Sequence, residues 1–169
     1  MVPDVRLIAI LRNPIDRAQS AFLHHLASGA LPKDADLGKL VMQTRPKLER
    51  FGLVTGGWYA ASLEPYQKIF GDQLLVLLHD DLEADPEAVY VRAARHVGAD
   101  PSFVPPDLEQ VRFSYVHRPG LDPDQALPMT LKRRNMLYRC FEPDLEKLEK
   151  MIDRDLSMWR PEPEPDPEP

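Results

Sequence analysis

Arg12 and Ser20 are the residue types in this chain best suited to chemistry, and the chemistry they suit is the binding of an anion. An arginine offers a planar fork of donors that matches a phosphate, and a serine hydroxyl adds a neutral donor. The same two residues also fit a surface arginine paired with Asp16 and a serine facing solvent, and spacing alone leaves both readings open. His24 and His25 are adjacent, so they cannot share one helical face and do not suit a joint metal site. The single cysteine, Cys140, excludes an internal disulfide and a cysteine-based zinc site.

The elements that must position these residues are legible around them. Residues 5–11 form a nearly unbroken apolar run, as expected of a strand buried on both faces. Asn13 can cap a helix, Pro14 fits its first turn, and Asp16 suits the free amides there. Arg12 therefore stands at the C-terminal end of a strand, where open parallel α/β sheets bind ligands, and Ser20 lies about two helical turns on. Gly29 and Pro32 stop this helix. Further helices are expected over about 37–50, over 57–71, from Pro86 to Val97 with Gly98 ending it, and over 129–141 and 144–152. Leu74–Leu78 reads as a second buried parallel strand.

Composition narrows the class. The chain has 169 residues, 43% hydrophobic and 28% charged, with a net charge of −6, which fits one globular, soluble domain. The acidic balance argues against nucleic acid as a partner. No apolar run reaches the length of a membrane span and no signal-peptide pattern precedes residue 5, so a cytoplasmic protein without a membrane partner is expected. Residues 161–169 alternate proline with acid and read as a disordered tail after a domain of residues 1–160.

The string Arg12-Asn13-Pro14-Ile15-Asp16-Arg17-Ala18-Gln19-Ser20 resembles the R-N-P-x-x-R-A-x-S segment of sulfotransferases, most closely those of the heparan type and the bacterial carbohydrate type. A second block resembles the same family: Gly57 and Tyr59 through Tyr66, then Phe70-Gly71 to Leu77, then the 80–86 turn, where Asp80 replaces the usual glutamate. The run from Leu145 and Leu148 to Trp159 is similar to the family's C-terminus.

The resemblance implies a co-substrate, adenosine 3′-phosphate 5′-phosphosulfate (PAPS), with no metal, and gives Arg12 and Ser20 the contacts to its 3′-phosphate. It gives His24 a place near the acceptor, and Arg118 the place of a basic loop residue that closes over the 3′-phosphate. The acceptor would be a hydroxyl or amine, of the carbohydrate class. The implied fold is α/β, a three-layer parallel-sheet domain related to P-loop nucleotide kinases. The family's glycine- and lysine-rich loop for the 5′-phosphosulfate has no counterpart here, and no G-x-x-x-x-G-K-[ST] string occurs. The domain is therefore expected to be incomplete, missing its first strand, loop and helix. An exposed edge on the 5–11 strand, prone to self-association, would follow. Two functions stay open: part of a working sulfotransferase, or a non-catalytic chain that at most binds adenosine 3′-phosphate nucleotides.

Overall fold

Two short apolar segments far apart in sequence pair to make the sheet. In the computed structural model, which describes residues 4–42, 51–108 and 129–162, β1 (Leu7–Leu11) lies parallel to β2 (Leu74–Leu78). The register runs from Leu7 opposite Leu74 to Leu11 opposite Leu78. The chain divides into two compact units, Met1–Arg12 with Ala61–Arg112, and Asn13–Ala60 with Phe113–Pro169.

The first unit holds this sheet, most of α3 (Tyr59–Phe70), the short α4 (His79–Ala84) and α5 (Pro86–Val97). Asp85 caps α5, its Oδ1 accepting from Ala88 N at 2.9 Å, and Pro86 takes the first helical position. Gly98 closes the helix at φ +76°, a left-handed conformation that glycine adopts without strain. His96, in the last turn of α5, donates from Nε2 toward both Leu7 O (3.0 Å) and Gln73 O (2.9 Å). One imidazole thus clips together the beginnings of the two strands. Leu11, Leu77, Leu78, Val89 and Ala94 are buried.

The expectation of a first strand buried on both faces is corrected. Residues of β1 alternate, with Ile8 39% and Ile10 53% exposed while Leu11 is buried. A period of two is what a strand shows when only one face is packed. β2 is half-buried at Leu74–Val76 and buried at Leu77 and Leu78.

The second unit packs helices. It contains α1 (Pro14–Ala27), α2 (Leu37–Met42), a 3₁₀ turn at Thr55–Gly57, α6 (Leu131–Ile152) and a 3₁₀ turn at Ser157–Trp159. Ile15, Ala18 and Phe22 of α1 meet a core that includes Leu53, Leu137, Phe141, Leu148, Leu156 and Trp159. The two helices expected over 129–141 and 144–152 are one helix, which continues through Pro143. Proline in a helix interior costs about 3 kcal/mol. Burial of Leu137, Phe141, Leu145 and Leu148 along one stripe offsets that, at roughly 1.5–3 kcal/mol for each large side chain. The proline region is also used: Trp58 Nε1 donates to Cys140 O at 3.0 Å, and Asp144 Oδ2 accepts from Ala60 N at 2.9 Å, satisfying a first-turn amide of α3.

Residues 43–50, the second half of the expected 37–50 helix, lie outside the described residues, as does the Pro/Glu tail from 163. Among the described residues no helix is long and apolar enough to cross a membrane.

Candidate functional site

Where β1 ends and α1 begins, the backbone is set by local chemistry. Asn13 caps α1, its Oδ1 accepting from Ile15 N at 3.0 Å, and Pro14 supplies the first helical residue. Arg12, the last residue of the first unit, is exposed just beyond the strand. In the second unit, the buried stripe of Ile15, Ala18 and Phe22 fixes the rotation of α1. That rotation leaves Asp16, Ser20 and His24, each one turn from the next, on a separate and less buried stripe. The spacing of Ser20 and His24 is therefore realised on one helical surface. Ser20 is half-buried, and its hydroxyl makes no hydrogen bond among the described residues. His24 is exposed, with its ring edge-on to His25 at 5.6 Å. Arg118 lies outside the described residues.

Two arginines that sequence reasoning gave no role stand beside this stripe. Arg134, in the first turn of α6, donates from Nη1 to Asp16 Oδ1 at 2.8 Å. Its neighbour Arg133 holds Asp36 Oδ2 at 2.9 Å. Both lie on the helix expected over 129–141, but only the packing of α6 on α1 picks out Arg134. Beside them, Gln19, Phe22, Leu23, Leu37, Met129 and Arg133 line a small cavity.

Arg17, the second arginine of the quoted string, works differently. Its Nη2 donates to Gly52 O (2.7 Å) and Leu53 O (2.5 Å), while His25 Nε2 donates to Phe51 O at 3.0 Å. Three successive carbonyls of the 51–53 turn are thus held by side chains of α1. Burial lowers the Arg17 pKa from its ordinary value, and Nε has no partner among the described residues. The turn continues to Gly57, where a Cβ would stand 2.6 Å from Phe141 Cε1 and 3.0 Å from Pro14 Cβ. Tyr59 is buried and edge-on to Trp159 at 6.3 Å, in keeping with a packing role.

Within the second unit, the Ser20 hydroxyl and the Arg134 guanidinium are groups of the kind that suit an oxyanion. Among the described residues, no group of His, Cys, Asp or Glu side chains is placed to hold a metal ion.

No family model and no curated protein matches the sequence. Among solved structures, the chain is similar to a sulfotransferase from Alicyclobacillus acidocaldarius, with a TM-score of 0.72 and 28% identity over 94% of this chain. It spans 58% of that protein's chain.

Proposed function

We propose that the chain, which is similar to a sulfotransferase, carries the 3′-phosphate-binding part of a site for transferring a sulfuryl group from PAPS. The acceptor is a hydroxyl or amine, with carbohydrate as the class. Arg12 and Ser20 hold the 3′-phosphate, Arg118 adds a further cation to it, and His24 faces the acceptor side. No resident metal or other cofactor takes part. The observation that carries this reading is the Arg12–Ser20 string, set on a strand end and a capped helix in a chain that superimposes on a sulfotransferase over 94% of its length.

The co-substrate supplies a sulfuryl group already activated by its phosphate leaving group. This chain's residues bind and orient. A guanidinium and a hydroxyl on the 3′-phosphate fix the nucleotide remote from the reacting sulfur, and such remote binding is what holds reactants in register. His24, one turn past Ser20, is placed to take part at the acceptor.

We read the fold as part of a three-layer domain related to P-loop nucleotide kinases. Residues 1–160 make up this sulfotransferase-like domain. A second copy is expected to pair with the open edge of β1, where Ile8 and Ile10 are exposed.

A second reading is that the chain binds adenosine 3′-phosphate nucleotides without transferring sulfuryl groups.

Calorimetric titration of adenosine 3′,5′-bisphosphate into the chain, its Arg12→Ala variant and its Ser20→Ala variant tests the binding claim. Binding that each substitution weakens by about tenfold or more is the expected result. A folded chain that does not bind, or binds unchanged in both variants, would overturn it. Transfer of labelled sulfate from PAPS to carbohydrate acceptors separates the two readings, since the second predicts binding without turnover.

A further inference from the structure

We infer that Arg134 is a further binding residue for the 3′-phosphate, brought to Ser20 from the opposite end of the sequence and held ready by Asp16; this deepens the function proposed above and rests on it. Arg134 Nη1 donates to Asp16 Oδ1 at 2.8 Å, and Asp16 lies four residues before Ser20 on α1. Side chains at that helical spacing are neighbours, about 5–6 Å apart at Cβ. The guanidinium is therefore delivered to the stripe that carries the Ser20 hydroxyl. One of its nitrogens engages Asp16, and a guanidinium has five N–H donors, so a fork of donors remains for an oxyanion.

The sequence of α6 makes this placement costly without an anion. Lys132, Arg133 and Arg134 occupy the first turn of a 22-residue helix, where the positive end of the helix dipole disfavours cations. Thr130 caps the same end, its Oγ1 accepting from Arg133 N at 3.3 Å, so the helix start is well defined rather than frayed. Asp36 answers Arg133 and Asp16 answers Arg134, one carboxylate for each guanidinium. A phosphate carries about two negative charges near neutral pH and complements a helix N-terminus and a guanidinium together. Asp16 serves as a positioning residue, since it fixes the arginine on one side and leaves the other open. Ser20 fits the same picture, because its half-buried hydroxyl has no partner among the described residues.

The test compares adenosine 3′,5′-bisphosphate with adenosine 5′-monophosphate, titrated at one salt concentration into the full chain and into Arg134→Gln, Arg134→Lys and Asp16→Asn. The ratio of the two affinities reports the 3′-phosphate alone. Arg134→Gln is expected to lower that ratio about tenfold and leave the monophosphate affinity unchanged. Arg134→Lys keeps the charge without the fork, so the ratio falls by a smaller factor. Asp16→Asn removes no donor but loosens the arginine, so the ratio falls, by a smaller factor than in Arg134→Gln. A ratio unchanged in both Arg134 variants, or an equal loss of both nucleotides, overturns the inference and leaves a structural ion pair. If Arg134→Gln does not fold, the ratio in Arg134→Lys decides in the same way. A parent chain that binds both nucleotides equally would overturn the 3′-phosphate reading itself, a result distinct from the failure of Arg134.

Discussion

At the scale of single residues, the turn held by α1 separates two adjacent glycines. A methyl at Gly57 meets Phe141 and Pro14, both packed in the core, so Gly57→Ala is expected to cost about 1–3 kcal/mol as overpacking, measured by denaturant unfolding. A methyl at Gly56 meets Arg17 Nη1 at 2.8 Å, the far end of a flexible side chain. Gly56→Ala should therefore cost less than Gly57→Ala, and the opposite order would show that Arg17 is fixed as firmly as the core. Cys140 gives a pH test. Burial pushes its thiol above the ordinary value of 9.0, so the folded state retains the proton after the unfolded chain loses it. Its contribution to stability is full below that value and is lost as pH rises from there through the raised folded value. Unfolding measured at pH values stepped upward from neutral should show a smaller alkaline loss in Cys140→Ala than in the parent chain.

At the scale of elements, the two-stranded sheet depends on a side chain from outside it. His96 shares one N–H between Leu7 O and Gln73 O, at the start of each strand. His96→Ala removes the donor and leaves two part-buried carbonyls without it, a loss expected to be about 1–2 kcal/mol. Hydrogen exchange should quicken first at the β1 and β2 amides; uniform quickening across both units would mean that the clip is not local. The join between α3 and α6 is of the same kind. Asp144 accepts from Ala60 N, so the α6 carboxylate does for α3 what an N-cap side chain does within a single helix. Asp144→Ala is expected to cost about 1 kcal/mol in the same unfolding measurement.

At the scale of the whole molecule, the open face and edge of β1 set the expected behaviour in solution. Ile8 and Ile10 project from a strand whose only pairing among the described residues is with β2. Exposed apolar strand edges template pairing with other chains, and a charge on the strand blocks it. Sedimentation is expected to show association that grows with concentration, and Ile10→Lys should suppress it. A chain that stays monomeric at high concentration and melts cooperatively would remove the proposal of self-association.

Local signals carried much of this protein. The caps at Asn13 and Asp85, the prolines after them and the stop at Gly98 act within a turn of backbone, through dihedral limits and hydrogen bonds to nearby amides. The sequence by itself therefore determined where α1 and α5 start and stop, and that the 5–11 run, realised as Leu7–Leu11, and Leu74–Leu78 are strands. It could not say that α6 continues through Pro143, because burial of its apolar stripe outweighs a local penalty. Nor could it say that β1 keeps one face open, because an apolar run reads the same whether one face is packed or both. The tertiary structure alone decided that Arg134 meets Asp16 across 118 positions, and that Arg17 turns to the carbonyls of Gly52 and Leu53. A charge finds its partner through the packing of whole helices, and no spacing within a single segment encodes that.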